Sequence, residues 1–167
     1  VLRIRWLQYK VTAMSTVATQ AIRVLVVEDG MTEREALARF LRTEQFDVLT
    51  ARNPDEAMTF IHDRVDVIVS DLRMGKKSGI DLLQSWRALH GDTPFVILTA
   101  YGEVGSAVQA MKLGANDFLS KPIDPSNLLE TIRDLVQPQT IDDPDRELSA
   151  EAATEPAMAI EGIVGSS

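Results

Sequence analysis

The sequence predicts an α/β fold, in which a doubly wound sheet of five parallel strands lies between two layers of helices. Five short apolar segments, rich in β-branched residues, alternate with five segments whose apolar residues recur every three or four positions, the spacing of a helix face. The strand segments are apolar throughout, as expected for a parallel sheet covered on both faces. Right-handed crossovers then give a three-layer αβα sandwich.

The first half of the chain is predicted to form, in order, a strand at 22–27, a helix at 32–44, a strand at 46–50, a helix from 54 and a strand at 65–70. Thr32 and Glu35 have the spacing of a capping box for the first helix. Asn53 is a suitable cap for the second helix, because Pro54 follows it at the first helical position.

The second half continues the alternation with a helix at 78–89, a strand at 94–98, a helix at about 103–113, a strand at 117–120 and a helix at about 125–136. Gly114 ends the fourth of the five helices, in the position that glycine commonly takes after a helix. No internal repeat is visible in the sequence.

The composition excludes several functional classes. The chain has 167 residues, of which 45% are hydrophobic, enough for one domain with a full core. It has no cysteine, which rules out disulfides and thiolate chemistry. A net charge of −8 argues against direct nucleic-acid binding by this chain. No apolar run approaches the roughly 20 residues that span a bilayer, so we expect a cytoplasmic protein without membrane contact.

The third strand delivers one carboxylate, Asp71, to a loop that contains Gly75 and Gly79. Ligands of open α/β sheets collect at the carboxyl ends of the strands. Asp71 is therefore a metal ligand, a nucleophile or a cap for the next helix, and this stretch alone does not separate the three roles.

Polar residues also follow the other strands. Glu28 and Asp29 end the first strand, Thr99 the fourth and Lys121 the fifth. Carboxylates that converge on one edge repel unless a cation joins them, and an oxygen-only site with open positions suits Mg²⁺. A nearby hydroxyl and ammonium group suit a transferred phosphoryl group. An aspartate can be its acceptor, as an aspartyl phosphate.

Residues 22–137 resemble the receiver domain of two-component response regulators. The segments that carry the resemblance are Val-Val-Glu28-Asp29, Ser-Asp71-Leu-Arg-Met with Gly79 eight residues on, Leu-Thr99-Ala100 and Asp-Phe118-Leu-Ser-Lys121-Pro122. The resemblance implies the flavodoxin-like strand order 2-1-3-4-5. It also implies Mg²⁺-dependent transfer of a phosphoryl group from a sensor histidine kinase, which switches an output. The chain itself is then no enzyme beyond autophosphorylation and slow autodephosphorylation.

The resemblance assigns a role to each site residue. Asp71 becomes the phosphoacceptor and a metal ligand, Asp29 a direct ligand, and Glu28 a ligand through water. The remaining roles are the following: the Arg73 carbonyl completes the metal shell, Thr99 and Lys121 hold the phosphoryl oxygens, and Phe118 with Thr99 forms the switch. By the same resemblance the Lys121–Pro122 bond is cis. The expected output is either a homodimer, formed through the fourth helix, fifth strand and fifth helix, or the release of an attached effector.

Two further features surround Asp71. The side chains of Arg73 and Tyr101 are expected to flank the site entrance and to shield the acyl phosphate from water. Gly75 departs from the family, which usually has proline at this position. Because glycine does not fix its φ angle, we expect a more mobile loop without loss of a catalytic atom.

Two rival functions are weaker. A haloacid-dehalogenase-like phosphatase also uses an aspartate nucleophile with Mg²⁺, but it needs a second aspartate two residues later, where this chain has Arg73. The other rival is a protein-interaction module on the same fold that takes up no phosphoryl group. Retention of all the site residues disfavours it.

The chain ends look like attachments. Residues 1–20 are basic, and we expect a disordered arm or a mis-annotated start before Met14. Residues 138–160 are acidic and rich in Pro, Ala, Ser and Thr, which predicts a disordered linker. Residues 161–167, Glu-Gly-Ile-Val-Gly-Ser-Ser, resemble the start of the AAA+ ATPase domain in NtrC-type, sigma-54-dependent transcription regulators. The resemblance implies an output in transcription regulation through domains absent from this chain.

Overall fold

The computed structural model describes residues 20–100 and 102–137. Within them a five-stranded parallel sheet has the strand order β2–β1–β3–β4–β5, as predicted. The strands are β1 (Arg23–Val27), β2 (Asp47–Ala51), β3 (Val67–Asp71), β4 (Phe95–Thr99) and β5 (Asp117–Ser120). The helices are α1 (Met31–Thr43), α2 (Pro54–Met58), α3 (Gly79–His90), α4 (Val104–Lys112) and α5 (Pro125–Val136). The predicted doubly wound fold is confirmed.

The core lies on both faces of the sheet, which explains the continuous apolar runs inside β1, β3 and β4. Successive residues of β1 point to opposite sides: Leu25 and Val27 join one buried cluster, whereas Val24 and Val26 join the other. The first cluster is completed by residues of α2, α3 and α4, and the second by residues of α1 and α5. When both faces of a strand are buried, its sequence is a continuous run of apolar residues.

Most helix starts follow the sequence signals, and one does not. Asn53 accepts a hydrogen bond from the Glu56 amide, with Pro54 at the first helical position, as predicted. The capping box predicted at Thr32 is wrong: α1 already begins at Met31, after Gly30, and its start has no side-chain cap. Since Thr32 lies inside the first turn, it cannot take the N-cap position.

A capping box does form at α3. The Ser78 hydroxyl accepts from the Asp81 amide at 3.2 Å, while the Asp81 carboxylate accepts from the Ser78 amide at 2.6 Å. Each side chain satisfies a backbone donor that the helix leaves unpaired. This box fixes the end of the loop that follows Asp71.

Among the described residues, no helix is both long enough and apolar enough to cross a membrane. The predictions for residues 1–19 and 138–167, and the one for Tyr101, lie outside the described residues.

Candidate functional site

The sheet brings the predicted site residues to one edge. Parallel pairing places Val27 beside Ser70, Asp71 beside Leu98, and Thr99 beside Ser120. The residues that end β1, β3, β4 and β5 are therefore neighbours: Glu28, Asp29, Asp71, Thr99 and Lys121. This edge is the carboxyl side of a parallel sheet, where chain topology leaves a crevice.

Three carboxylates meet in this crevice. One oxygen from each of Glu28, Asp29 and Asp71 lies within 4.8 Å of the other two. Glu28 and Asp71 are buried, whereas Asp29 is exposed to solvent. Buried anions at this spacing repel one another unless a cation balances them, and a donor set made only of oxygens suits a hard cation with bound water. The geometry therefore fits a divalent cation that enters from the side of Asp29.

Lys121 supplies a cation from within the protein. Its Nζ lies 2.8 Å from Glu28 Oε2 and 3.3 Å from Asp71 Oδ1. Burial lowers the pKa of Lys121, but its hydrogen bond to Glu28 and the charge of Asp71 outweigh burial and raise that pKa above its ordinary value. Lys121 is thus held as an ammonium group against both carboxylates.

The pKa of Glu28 is raised above its ordinary value. Burial raises the pKa of its carboxyl group, and the nearby charge of Asp71 raises it further, against the hydrogen bonds from Lys121 and from the Gly30 amide. The Gly30 amide donates to Glu28 Oε1 at 3.1 Å. Glu28 therefore depends on these donors to stay ionised in the crevice.

Arg34 is a residue of this site that the sequence did not reveal. From the first turns of α1 its guanidinium donates to the carbonyl of Glu28 at 2.8 Å and to that of Asp29 at 3.3 Å. These bonds hold the backbone of the acid pair where β1 passes into α1. No general sequence pattern predicts that a residue five or six positions after the acids binds their carbonyls. The contact is therefore seen only in the folded structure.

Gly79 is required by close packing beneath Asp71. A Cβ atom at this position would lie 2.3 Å from the carbonyl oxygen of Asp71 and 3.1 Å from the Ser70 hydroxyl. The Gly79 amide also donates to the Leu72 carbonyl at 2.9 Å. The glycine eight residues after Asp71 therefore lets the start of α3 pack against the end of β3.

Between Asp71 and Gly79 the loop forms a short antiparallel hairpin, in which Arg73–Met74 pairs with Lys77–Ser78. Gly75 stands at its turn with φ 57°. The turns that suit two-residue hairpins need a positive φ there, which proline cannot adopt. The hairpin thus explains the departure from the family's proline.

The predicted switch residues differ in exposure. Thr99 is buried at the end of β4, whereas the Phe118 side chain on β5 is 37% exposed and faces outward. Val108 and Met111 of α4 are exposed apolar residues as well. The predicted cis peptide between Lys121 and Pro122 is present.

At the site entrance, the Arg73 side chain forms an ion pair with Glu103, the residue that precedes α4. Glu103 also accepts a hydrogen bond from the Ala100 amide at 3.2 Å. The sequence predicted that Arg73 flanks the entrance. It gave no sign of this contact for Glu103, which was predicted only to begin a helix.

A family model described as the response regulator receiver domain matches residues 24–133. This chain belongs to the receiver family. The match lies within the 22–137 span that the motifs indicated, and it confirms the predicted role as a phosphoacceptor receiver of two-component signalling. The phosphatase and interaction-module alternatives are not favoured.

Curated relatives extend beyond the matched region. The chain is 38% identical over 111 residues to the response regulator protein PilR of Pseudomonas aeruginosa, covering 66% of this chain and 25% of PilR. It is 36% identical over 115 residues to the transcriptional regulatory protein CpxR of Klebsiella pneumoniae, covering 69% of this chain and 49% of CpxR. The receiver therefore spans a quarter to a half of these relatives.

Solved structures agree with the fold. The crystal structure of a response regulator receiver protein from Pseudomonas putida superposes with a TM-score of 0.64 at 34% identity, covering 68% of this chain and 97% of that one. The match thus covers nearly the whole of a solved receiver protein.

Proposed function

We propose that Asp71 is the residue that accepts the phosphoryl group. The observation that carries this assignment is its place at the end of β3, within 3.3 Å of the Lys121 ammonium and within reach of the Glu28 and Asp29 carboxylates. Glu28 also contacts Lys121, but Asp71 is itself the last residue of β3, the middle strand of the sheet, whereas Glu28 follows the end of β1.

Mg²⁺ fits the acidic cluster. Asp29 and Asp71 would hold the ion directly, Glu28 through water, and the carbonyl of Arg73 would complete the protein's share. When bound, the ion neutralises charge on the phosphoryl oxygens. The three carboxylates supply the oxygen donors that such an ion prefers, and Asp29 leaves the cluster open to solvent.

The donor is a sensor histidine kinase that carries a phosphohistidine. A carboxylate oxygen of Asp71 attacks the phosphorus atom, the O–P bond forms as the N–P bond breaks, and the imidazole leaves with the bonding electron pair. Lys121 and Thr99 hold the phosphoryl oxygens. The new charge then draws Thr99 and Phe118 inward, which repacks α4, β5 and α5.

The output follows from this repacking. Two copies of the receiver then associate through α4, β5 and α5, where Val108 and Met111 of α4 are exposed apolar residues. The output that we propose is regulation of transcription, in keeping with the transcriptional regulatory protein CpxR among the relatives. The acidic segment at 138–160 and the NtrC-like segment at 161–167 support an ATPase-containing regulator of the sigma-54 class.

The assignment is tested by incubating the full chain with acetyl phosphate and Mg²⁺ and measuring its intact mass. We expect the mass to increase by one phosphoryl group in the wild type and to stay unchanged in Asp71→Asn. Excess chelator should suppress labelling of the wild type. Asp134→Asn on α5 is the matched control and should label normally. Equal labelling of the wild type and Asp71→Asn would refute the assignment.

A further inference from the structure

Glu103 joins the two loops that border Asp71. Its carboxylate pairs with the Arg73 guanidinium, two residues after Asp71, and accepts from the Ala100 amide, one residue after Thr99. The Glu103 side chain is only 11% exposed, whereas that of Arg73 is 79% exposed. A carboxylate so nearly enclosed depends on its donors more than a surface ion pair does.

The two loops are neighbours because their strands pair. Asp71 lies beside Leu98 in the sheet, and the Leu72 amide donates to the Leu98 carbonyl at 2.8 Å. The Lys121 amide donates to the Thr99 carbonyl at 2.7 Å. Ala100 and Arg73 therefore leave the sheet on the same side of the crevice, next to the acceptor carboxylate.

A phosphoryl group on Asp71 needs hydrogen-bond donors, and Glu103 already binds two of the donors in the neighbouring loops. It adds about −1.5 to −2 charge and three strong acceptor oxygens. Two donors in the loops that follow Asp71 and Thr99, the Arg73 guanidinium and the Ala100 amide, are bound to Glu103. Two anions in this space also repel each other, so the phosphoryl group and the bound carboxylate exclude one another.

We propose that the Glu103 carboxylate is an internal competitor of the phosphoryl group: it occupies Arg73 and the Ala100 amide before phosphorylation and leaves them afterwards. This inference rests on the proposed phosphorylation of Asp71. Glu103 is then a positioning residue that sets how readily Asp71 is modified.

The competitor is coupled to α4 by chain connectivity. Glu103 immediately precedes Val104, where α4 begins, and its side chain bonds to Ala100 instead of capping its own helix. Its backbone carbonyl accepts from the amides of Ser106 and Ala107 at 3.1 Å each. Displacement of the carboxylate therefore changes the side-chain contacts of the residue from which α4 starts, the element whose repacking the proposed output requires.

The test uses Glu103→Gln, which keeps the size of the side chain and removes its charge. An Asp71 oxygen attacks the phosphorus atom of acetyl phosphate: the new O–P bond forms as the O–P bond to the acetyl oxygen breaks, and acetate leaves with the bonding electron pair. At subsaturating acetyl phosphate and fixed Mg²⁺, we expect the initial rate of labelling to rise about 5-fold, the low end of typical coupling between two sites. The half-saturating concentration of beryllofluoride, followed by the thermal shift it produces, should fall by a similar factor.

Two further variants make the result specific. Glu35→Gln on α1, where Glu35 is exposed, removes the same charge elsewhere and should behave as the wild type. In an Arg73→Ala background, Glu103→Gln should have a smaller effect, because the two residues share one interaction. Labelling of Glu103→Gln at or below the wild-type rate, or an undiminished effect in the Arg73→Ala background, would overturn the inference. Absence of labelling in the wild type would instead overturn the assignment of Asp71.

Discussion

At the scale of single residues, the site combines residues whose side chains take part in the chemistry with residues that only shape the backbone. Glu28, Asp71 and Lys121 form a charged group in the crevice, in which the Lys121 ammonium contacts both carboxylates. Arg34 fixes the backbone from which two of the acids project. Gly75 adds no functional group, yet its φ angle decides the shape of the loop after Asp71.

Gly75→Pro should destabilise the protein, although proline is the residue that the family usually has there. Proline fixes φ near −65°, whereas the hairpin holds this position at φ 57°. We expect a loss of more than about 1 kcal/mol in the free energy of unfolding, measured by chemical denaturation. Gly75→Asn is the control, since asparagine tolerates positive φ. A Gly75→Pro variant as stable as the wild type would show that the hairpin is dispensable.

At the scale of elements, the strands were predictable and several loops were not. An apolar run such as 67–69 is read directly from the sequence, because both faces of the sheet are buried. The cap of α1 was misplaced by two residues, since Gly30 rather than Thr32 takes the cap position. The hairpin was not predicted, because strands of two residues leave no periodic signal in the sequence. The contact of Glu103 with Arg73 was not predicted either, because loop geometry sets it.

The capping box of α3 should make stability depend on pH. Hydrogen bonds from the Ser78 amide and hydroxyl lower the pKa of Asp81 below its ordinary value. A depressed carboxyl pKa contributes stability that is present above the unfolded-state pKa, near 3.8, and is lost as the pH falls through the lower, folded-state pKa. Asp81→Asn should therefore be less stable than the wild type at neutral pH, and the difference should shrink below about pH 4.

The measurement is the free energy of unfolding of both proteins across this pH range. Ser78→Ala, which removes the other half of the box, should cost about 0.5–2 kcal/mol at neutral pH. Asp134→Asn, an exposed acid on α5, serves as the control. A stability difference for Asp81→Asn that stays constant down to the acid limit would contradict the pKa argument.

At the scale of the whole molecule, the two ends of the sheet are separated in role. The carboxyl ends carry the charged crevice. At the amino ends of β4 and β5, Arg87 of α3 donates to the carbonyls of Gly91, Thr93 and Gly114 and to the Asn116 side chain. Asn116 in turn accepts from the Phe95 amide at 2.9 Å. One guanidinium thus joins the loops that enter two neighbouring strands.

Arg87→Ala should lower stability without impairing the chemistry of Asp71. Hydrogen bonds to a charged group contribute about 1.5–3 kcal/mol, and the carbonyls left unpaired add to the loss. We expect a loss in this range, measured by denaturation. Labelling by acetyl phosphate, measured per folded molecule at a temperature well below the melting point, should match the wild type. A labelling defect at full folding would show that the two ends of the sheet are coupled.

The close contact at Gly79 has a genetic consequence. No side chain fits there without moving the carbonyl oxygen of Asp71, which would lie 2.3 Å from any Cβ. A missense change at this codon therefore acts on the acceptor through its backbone, although glycine has no group that takes part in the reaction. In a survey of alleles, substitutions at position 79 should therefore be grouped with substitutions of Asp71, because both impair the acceptor.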